Sequence, residues 1–202
     1  MKYLIFADLH TFNPDNLDLI TEEPDIIILL GDIKASSIYK ILMYFPDKPC
    51  YGVLGNHDDE SLFVSVNQYL KASPLYSTQI IDINLKKIED YGLSFTGIQG
   101  SNKYKDDMVG YTQEESQVLY IPEADILFSH DTGYRYMGRE DEPHIGLKGI
   151  SNYIEHIQPK YNIFGHYHMN QTFTKENTTC ICVYGCALFN DENGEMKIYF
   201  ED

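Results

Sequence analysis

Short runs of apolar residues separate the polar segments of this chain and predict a series of strands. Five runs stand out, at residues 3–7, 26–30, 51–54, 126–128 and 163–164. Runs this short, bounded by glycine or polar residues, are typical of strands buried in the interior of a domain. We therefore expect these five segments to form the centre of the fold.

Three segments between these runs carry apolar residues at helical spacing, so one face of each would be buried. They are Ile38, Ile41, Leu42 and Phe45; Leu62, Val66, Tyr69 and Leu70; and Leu147, Ile150, Ile154 and Ile157. The last helix should stop before Pro159, because proline disrupts a helix interior. Residues 79–99 alternate instead, around Tyr91 and Gly92, and predict a hairpin. Residues 171–200 predict several more short strands.

The resulting order is βαβαβ in the first third of the chain, followed by a part richer in strands. Such an order predicts an α/β domain with sheets inside and helices outside. The chain has 202 residues, which fits a single domain over residues 1–202 with a hydrophobic core of its own. Apolar residues make up 43% of the chain, which excludes the class of disordered proteins.

The chain is strongly acidic, and this narrows the possible partners. It has 31 Asp and Glu residues against 15 Lys and Arg residues, for a formal net charge of −16. The charge counts against a nucleic-acid polymer or an anionic membrane as partner, because both would be repelled. It does not exclude a small phosphorylated substrate that binds at a locally positive site.

We do not expect the first residues of the chain to form a secretory signal. Met1 and Lys2 are followed by the short apolar run 3–7 and then by Asp8, whereas a signal peptide needs a longer apolar segment. Three of the four cysteines, Cys180, Cys182 and Cys186, lie close together near the end of the chain. Without an export signal, we expect reduced thiols and a cytoplasmic protein.

Nitrogen and oxygen donors follow all five predicted strands within a few residues. In chain order they are Asp8 and His10, then Asp32, then Asn56 with His57 and Asp58, then His130, and finally His166 with His168. Ligands of open α/β sheets bind beyond the carboxyl ends of the strands, so these side chains should form one cluster. Imidazole and carboxylate donors without thiolate suit Mn, Fe, Zn, Co or Ni. One ion needs three or four protein ligands, and the surplus indicates two divalent ions that share a carboxylate.

Each motif alone is weak evidence, because a single histidine after a strand is more often a loop residue with an ordinary hydrogen bond. The full series is specific: Asp8-x-His10, Gly31-Asp32, Gly55-Asn56-His57-Asp58, Ser129-His130 and Gly165-His166-x-His168. In this order it resembles the calcineurin-like metallophosphoesterase family over most of the chain. Two further segments, Gly97-Ile98-Gln99-Gly100 and His144-Ile145-Gly146, resemble a branch of small, single-domain, phosphodiesterase-like members. The resemblance implies an α/β fold of the α+β type, a four-layer αββα sandwich of two mixed β-sheets flanked by helices.

The resemblance also implies a role for each residue of these motifs. One divalent ion would be held by Asp8, His10, Asp32 and His168, and a second by Asp32, Asn56, His130 and His166, so that Asp32 bridges them. His57 would face the substrate and stabilise or protonate the leaving oxygen, and Asp58 would either orient an imidazole or contact solvent. Two ions roughly 3.5–4 Å apart would clamp a phosphoryl group and lower the pKa of a bridging water, whose hydroxide attacks phosphorus.

The two arginines of the chain, Arg135 and Arg139, both lie between the fourth and fifth motifs. A guanidinium group binds phosphate through two parallel hydrogen bonds, so both arginines are candidate substrate-binding residues, together with the nearby His144. The alternatives are that the arginines pair with Glu140 and its acidic neighbours and that His144 is a solvated loop residue.

The leading hypothesis is therefore a metal-dependent phosphoric ester hydrolase that acts on a small phosphodiester or nucleotide, with manganese among the candidate metals. A phosphomonoesterase and a nuclease of the same family are alternatives, although a nuclease should show a basic track or an added DNA-binding domain. A binding scaffold, such as a retromer subunit of the same fold that has lost catalytic residues, is a further alternative. The presence of His57 and of every motif ligand argues against the scaffold.

Overall fold

The structure, a computed structural model, describes residues 1–72, 78–90 and 92–202. The strands in this part of the chain are β1 (Lys2–Ala7), β2 (Ile26–Leu29), β3 (Cys50–Gly52), β4 (Ile80–Asp82), β5 (Ile88–Asp90), β6 (Leu93–Ile98), β7 (Ser101–Asn102), β8 (Gly110–Tyr111), β9 (Ile126–Ser129), β10 (Tyr161–Phe164), β11 (Gln171–Lys175), β12 (Thr178–Cys182), β13 (Gly185–Asn190) and β14 (Glu195–Phe200). The α-helices are α1 (Ala35–Tyr44), α2 (Leu62–Lys71), α3 (Gln113–Val118) and α4 (Lys148–Ile157). Short 3₁₀ helices cover Pro14–Leu19 and Glu142–His144.

Most of the described strands form two mixed six-stranded sheets. The first sheet has the order β14-β13-β1-β2-β3-β4 and the second has the order β11-β12-β10-β9-β6-β5. The central strands run parallel, from β1 to β4 in the first sheet and through β12, β10, β9 and β6 in the second. Strand β13 pairs antiparallel with β1, and the edge strands β14, β11 and β5 pair antiparallel with their neighbours, whereas the edge strand β4 pairs parallel with β3. The parallel strands of each sheet therefore end at one common edge.

Three clusters of apolar side chains separate four layers. The cluster between the two sheets contains Ile5 and Ile28 from the first sheet and Phe128 and Ile163 from the second. Another cluster joins the outer face of the first sheet to α1 and α2. A third joins the outer face of the second sheet to α4. This arrangement is the predicted αββα sandwich of two mixed β-sheets flanked by helices.

Residues 3–7 of strand β1 are all apolar because both faces of the strand are covered. Its residues Tyr3 and Ile5 belong to the cluster between the sheets, whereas Leu4 and Phe6 belong to the cluster under α1 and α2. Successive strand residues point to opposite faces of a sheet, so a strand covered on both faces needs apolar residues throughout. Complete burial of each such side chain stabilises the fold by roughly 1.5–3 kcal/mol.

The three helices predicted from apolar spacing are confirmed, but Tyr69 of α2, which was predicted for the buried face, is exposed. Ile41 of α1, Val66 of α2 and Ile154 of α4 are all buried. Helix α4 ends at Ile157, and Gln158 caps it in the left-handed conformation, with a φ of 54°, directly before Pro159. The short helix α3 is not predicted by apolar spacing, because it is only six residues long and has one buried residue. A capping box between its first residues stabilises its start.

The segment from residue 79 to residue 99 differs from the predicted hairpin. Strand β4 lies beside β3 in the first sheet, where Ile81 is opposite Tyr51 in a parallel pair. Strands β5 and β6 form an antiparallel pair in the second sheet, where Glu89 is opposite Ser94. Tyr91 of the predicted turn lies outside the described residues. The single-hairpin prediction was wrong for β4, because alternation indicates one covered face and does not specify the neighbouring strand.

The helices are short compared with the thickness of a membrane. The longest described α-helices, including α1 and α4, have 10 residues, whereas a membrane-spanning helix needs about 20. Within residues 1–72, 78–90 and 92–202, no helix is long and apolar enough to cross a bilayer.

Candidate metal centre

Two groups of nitrogen and oxygen donors lie at the carboxyl ends of the parallel strands. The first donor group is Asp8, His10 and His168, and the second donor group is Asp32, His130 and His166. Within each group the donor atoms all lie within 4.8 Å of one another. The residues come from segments that follow β1, β2, β9 and β10, so the shared sheet edge brings together positions far apart in the sequence. The structure thus collects six of the seven predicted metal ligands into two sets, and the seventh, Asn56, contacts His130.

The backbone is strained at four of these positions. Asp8, Asp32, His166 and His168 have φ values of 56°, 54°, 72° and 49°, in the left-handed region that L-residues seldom adopt. Each such residue costs of the order of 1–2 kcal/mol. Strain of this kind accumulates at functional sites, where the surrounding structure holds the residue in place.

The glycines of the motifs are required by close approaches around the donors. A Cβ atom at Gly55 would lie 2.1 Å from Oδ1 of Asp32, and a Cβ atom at Gly165 would lie 2.7 Å from Oδ2 of Asp8. Either separation is shorter than a normal van der Waals contact. A larger residue at these positions would therefore displace the buried carboxylates.

The first donor group contains an unpaired buried carboxylate oxygen. Oδ2 of Asp8 accepts the backbone N–H of His166 at 2.7 Å, but Oδ1 is buried with no hydrogen-bond partner. Nε2 of His168 lies 3.8 Å from this oxygen, and Nε2 of His10 lies 3.2 Å from Nε2 of His168. Burial, followed by the nearby Asp32 charge, raises the pKa of Asp8 well above its usual value. A divalent cation between these atoms would offset both effects.

His130 of the second donor group lies opposite Asp32 of the same group and opposite Asn56, which lies outside it. Nδ1 of His130 lies 2.7 Å from the carbonyl oxygen of Leu30, and because a carbonyl only accepts, Nδ1 carries the proton. Nε2 is then a free lone pair, and it lies 2.8 Å from Oδ1 of Asn56 and 3.5 Å from Oδ2 of Asp32. Burial lowers the pKa of His130, which disfavours a second ring proton. A metal cation at this position would be held by the imidazole nitrogen, the carboxylate and the amide oxygen together.

His166 is oriented in the same way. Its Nε2 atom lies 2.7 Å from the carbonyl oxygen of Pro143 and donates to it, so Nδ1 is left as the atom with a lone pair. Burial, with the neighbouring His130, lowers the pKa of His166 well below its usual value. The rings of His166 and His130 have centroids 4.9 Å apart. Backbone carbonyls thus fix the tautomers of two neutral imidazoles, as is common for metal-ligating histidines.

The donor set fits divalent metal ions. Bonds from such ions to histidine nitrogen and carboxylate oxygen are about 2.0–2.2 Å long, which puts neighbouring ligand atoms roughly 3.0–3.5 Å apart. The spacing of 3.2 Å between His10 and His168, and that of 3.5 Å between His130 and Asp32, fall in this range. Without thiolates, the set suits Mn, Fe, Zn, Co or Ni.

His57 and Asp58 lie beside the donor groups and outside them. His57 is exposed, and its ring centroid is 6.4 Å from that of His10. Its backbone N–H donates to Oδ1 of Asp32 at 2.8 Å. Oδ2 of Asp58 accepts the backbone N–H groups of Gly55 at 2.8 Å and of Asp32 at 2.9 Å. Asp58 therefore joins the loops after β2 and β3, and burial, followed by the Asp32 charge, raises its pKa to about 7.

The three predicted substrate-binding residues have different surroundings. His144 lies against the second donor group, with its ring centroid 4.8 Å from that of His166, and its Nδ1 contacts the carboxylate of Asp141. Arg135 is exposed and lies 3.8 Å from the carboxylate of Glu140. Arg139 is exposed as well. Of the three, His144 is the one that contacts a donor residue among the described contacts.

A buried hydrogen bond between Tyr167 and Asp131, close to the donor groups, is not predicted from the sequence. The hydroxyl of Tyr167 donates to Oδ1 of Asp131 at 2.8 Å, and both side chains are buried. Asp131 follows His130, and Tyr167 lies between His166 and His168. The bond therefore connects the loop after β9 with the loop after β10. Their positions next to predicted ligands in the sequence indicate that both residues lie near the site. That they form a hydrogen bond with each other depends on the fold.

Ionisation of Asp131 is expected to make the metal-free protein less stable as the pH rises. Burial raises the pKa of Asp131 from 3.8 to about 7 in the folded protein. The protonated carboxyl therefore contributes its full stabilisation of the fold below the pKa of 3.8 that it has in the unfolded chain, and this stabilisation is lost as the pH rises through about 7. The loss amounts to roughly 4 kcal/mol. Urea unfolding of chelator-treated protein from about pH 4 to about pH 9 should therefore show a smaller decline for Asp131→Asn than for the native chain. An Asp107→Asn variant, changed at an exposed position, is the control, and an identical decline in all three proteins would contradict this expectation.

Comparison with known proteins agrees with the fold and the donor groups. The chain matches the Calcineurin-like phosphoesterase superfamily domain over residues 1–191. A search of curated protein sequences gave no match. The solved structure of an archaeal phosphodiesterase has 15% sequence identity and a TM-score of 0.57, with 98% of each chain covered. That of phosphopantetheinyl hydrolase from Mycobacterium tuberculosis has 11% identity and a TM-score of 0.59, covering 90% of this chain and 89% of that chain. At such low identity, these two similarities show the fold alone.

The fold and the donor groups together define a metal-binding phosphoester hydrolase. More specifically, the chain belongs to the calcineurin-like phosphoesterase superfamily. The resemblance found in the sequence motifs is thereby confirmed, and members of this family typically bind divalent metal ions.

Proposed function

We propose that this protein is a dinuclear metal-dependent phosphodiesterase that hydrolyses a small phosphodiester or nucleotide. The observation that carries the proposal is the second donor group, where the lone pair of His130 faces the oxygens of Asn56 and Asp32 at 2.8 and 3.5 Å. A cation between these atoms would satisfy the buried lone pair of His130 and the carboxylate of Asp32 together. The unpaired Asp8 oxygen supports the same reading for the first donor group.

The first donor group, Asp8, His10 and His168, would hold one ion, and the second donor group, Asp32, His130 and His166, would hold the other. The family resemblance adds Asn56 to the second set and makes Asp32 a ligand of both ions. When bound, such a pair of ions polarises a phosphoryl oxygen and lowers the pKa of water. Manganese is the first ion to test, with iron, zinc, cobalt and nickel as the other candidates.

His57 is proposed as the residue that acts on the leaving oxygen. It is exposed at the edge of the donor groups, where its imidazole can reach a bound ester, and its backbone N–H holds Oδ1 of Asp32. In this role the ring donates a hydrogen bond or a proton as the bond to phosphorus breaks. Asp58 supports the site by holding the backbone of Gly55 and Asp32.

The substrate is proposed to be small because of the charge around the site. The formal net charge of −16 repels long polyanions, whereas two divalent ions make the site itself locally positive. A compact phosphodiester meets the ions and little of the acidic surface. His144, which lies beside His166, is proposed to contact this substrate, and Arg135 and Arg139 are proposed to contact its outer part.

A hydrolysis panel tests the function. Metal-loaded protein is incubated with bis-p-nitrophenyl phosphate, p-nitrophenyl phosphate, cyclic nucleotides and single-stranded DNA, each with Mn, Ni, Co or Zn. The expected result is metal-dependent hydrolysis of the diester at a rate at least about tenfold above that of the monoester and the DNA. Faster monoester hydrolysis would favour a phosphomonoesterase, and faster DNA cleavage would favour a nuclease. No activity with two ions bound would favour a binding scaffold.

A further inference from the structure

A cleft beside the donor groups contains a lysine that the sequence motifs do not include. The cleft has a volume of about 260 Å³, and its walls include His10, Asp32, His57 and Lys34. It therefore borders a member of each donor group and the residue proposed to act on the leaving oxygen. A phosphate ester bound at the ions with its leaving group near His57 would extend into this space.

Lys34 is held at the cleft by its own contacts. It precedes the first residue of α1 and lies two positions after Asp32. Its Nζ atom donates to the backbone carbonyl of His10 at 2.6 Å, which fixes the ammonium group beside the loop of the first donor group. An ammonium group has three N–H donors, so two remain for another acceptor. The side chain is exposed, and its charge is therefore accessible to a ligand.

The charge of Lys34 is unusual in these surroundings. Among the described residues that line the cleft, Lys34 is the one lysine or arginine, and it lies among the carboxylates of Asp32, Asp58 and Asp59. An anionic ester entering the cleft would otherwise meet these carboxylates. By contrast, Arg135 is engaged at 3.8 Å with Glu140. The geometry thus favours Lys34 over Arg135 as a phosphate contact.

We propose that Lys34 binds the substrate, donating hydrogen bonds to a non-bridging oxygen of the phosphate group in the cleft beside His57. This inference rests on the proposed phosphodiesterase function and identifies a substrate-binding residue for it. Charge-assisted hydrogen bonds to phosphate are among the stronger ones in proteins. The contact is present in the bound ester before the reaction as well as during it, so its removal should affect KM more than kcat.

Two substitutions and a matched control test the proposal. Lys34→Met keeps the length of the side chain and removes the charge, Lys34→Arg keeps the charge, and Lys40→Met changes another exposed lysine of the same segment. For each manganese-loaded protein, the dissociation constant of inorganic phosphate is measured by calorimetry, together with the metal content and the KM and kcat for bis-p-nitrophenyl phosphate.

The expected result is a specific loss of anion binding. Lys34→Met should weaken phosphate binding and raise KM by about tenfold or more, with two ions still bound and kcat changed by less than about threefold. Lys34→Arg should keep phosphate binding within about threefold of the native protein, and Lys40→Met should not differ from it.

Three results would overturn the proposal. One is unchanged phosphate binding and KM in Lys34→Met. Another is a loss of metal from that variant, which would mean that Lys34 only supports the loop of His10. The last is an equal effect of Lys40→Met, which would indicate general electrostatics. If the native protein binds phosphate through Lys34 but hydrolyses no ester, the proposed function fails and the anion-binding role of Lys34 stands.

Discussion

Asp32→Ala is expected to release both metal ions and to lower the turnover of bis-p-nitrophenyl phosphate by at least about a thousandfold. Asp32 is the carboxylate proposed to be shared, and its Oδ2 lies 3.5 Å from Nε2 of His130. Its Oδ1 accepts the backbone N–H of His57 at 2.8 Å, so the substitution also frees the loop that carries His57. Elemental analysis after dialysis gives the ions per chain, and steady-state assays give the turnover.

Asp32→Asn separates the loss of charge from the loss of structure. The amide oxygen can still accept the N–H of His57, and the Asp32 charge, which adds to the effect of burial in raising the pKa of Asp8, is removed. The metal-free variant should therefore be at least as stable to urea as the metal-free native protein, while it still loses both ions. Retention of two ions by Asp32→Asn, or turnover within about tenfold of the native value, would contradict a shared role for this carboxylate.

His57→Ala is expected to keep both ions and to lower kcat by about 10²–10⁴-fold. The side chain is exposed and belongs to neither donor group. The contact with Asp32 is made by the backbone N–H of residue 57, and alanine preserves it. Metal content should therefore be native in His57→Ala, in contrast to Asp32→Ala.

The leaving group of the ester distinguishes the possible actions of His57. If the imidazole protonates the leaving oxygen, the loss should be smaller for p-nitrophenyl esters than for alkyl esters, whose alkoxides need the proton more. Rates of a native and a His57→Ala protein are compared on both kinds of ester with two ions bound. Native turnover by the metal-loaded variant on both esters would show that His57 has no role in the reaction.

Much of the fold follows from local patterns in the sequence. The run at residues 3–7 is apolar at every position, and β1 is covered by a sheet on one face and by helices on the other. Helix α4 ends before Pro159, as expected because proline disrupts a helix interior. The pairing of β4 could not be predicted, because its three residues carry no information about which sheet edge they join. Which strand pairs with β4 depends on contacts between segments that are distant in the sequence.

The candidate site also has a part that the sequence predicts and a part that it does not. Asp8, Asp32 and His130 could be predicted to lie together, since each follows a predicted strand and parallel strands end at one edge. The bond between Tyr167 and Asp131 joins residues 36 positions apart, and no local spacing indicates it. Arginine was the sequence-based choice for phosphate binding, whereas the position of Lys34 over the carbonyl of His10 emerges only from the packed loops.

An anomalous difference map of manganese-loaded crystals would locate the bound ions. We expect two peaks in each chain. One should lie among Asp8, His10 and His168 and the other among Asn56, His130 and His166, and Oδ atoms of Asp32 should coordinate both. A single peak, or peaks that lie away from these two donor groups, would contradict a dinuclear centre.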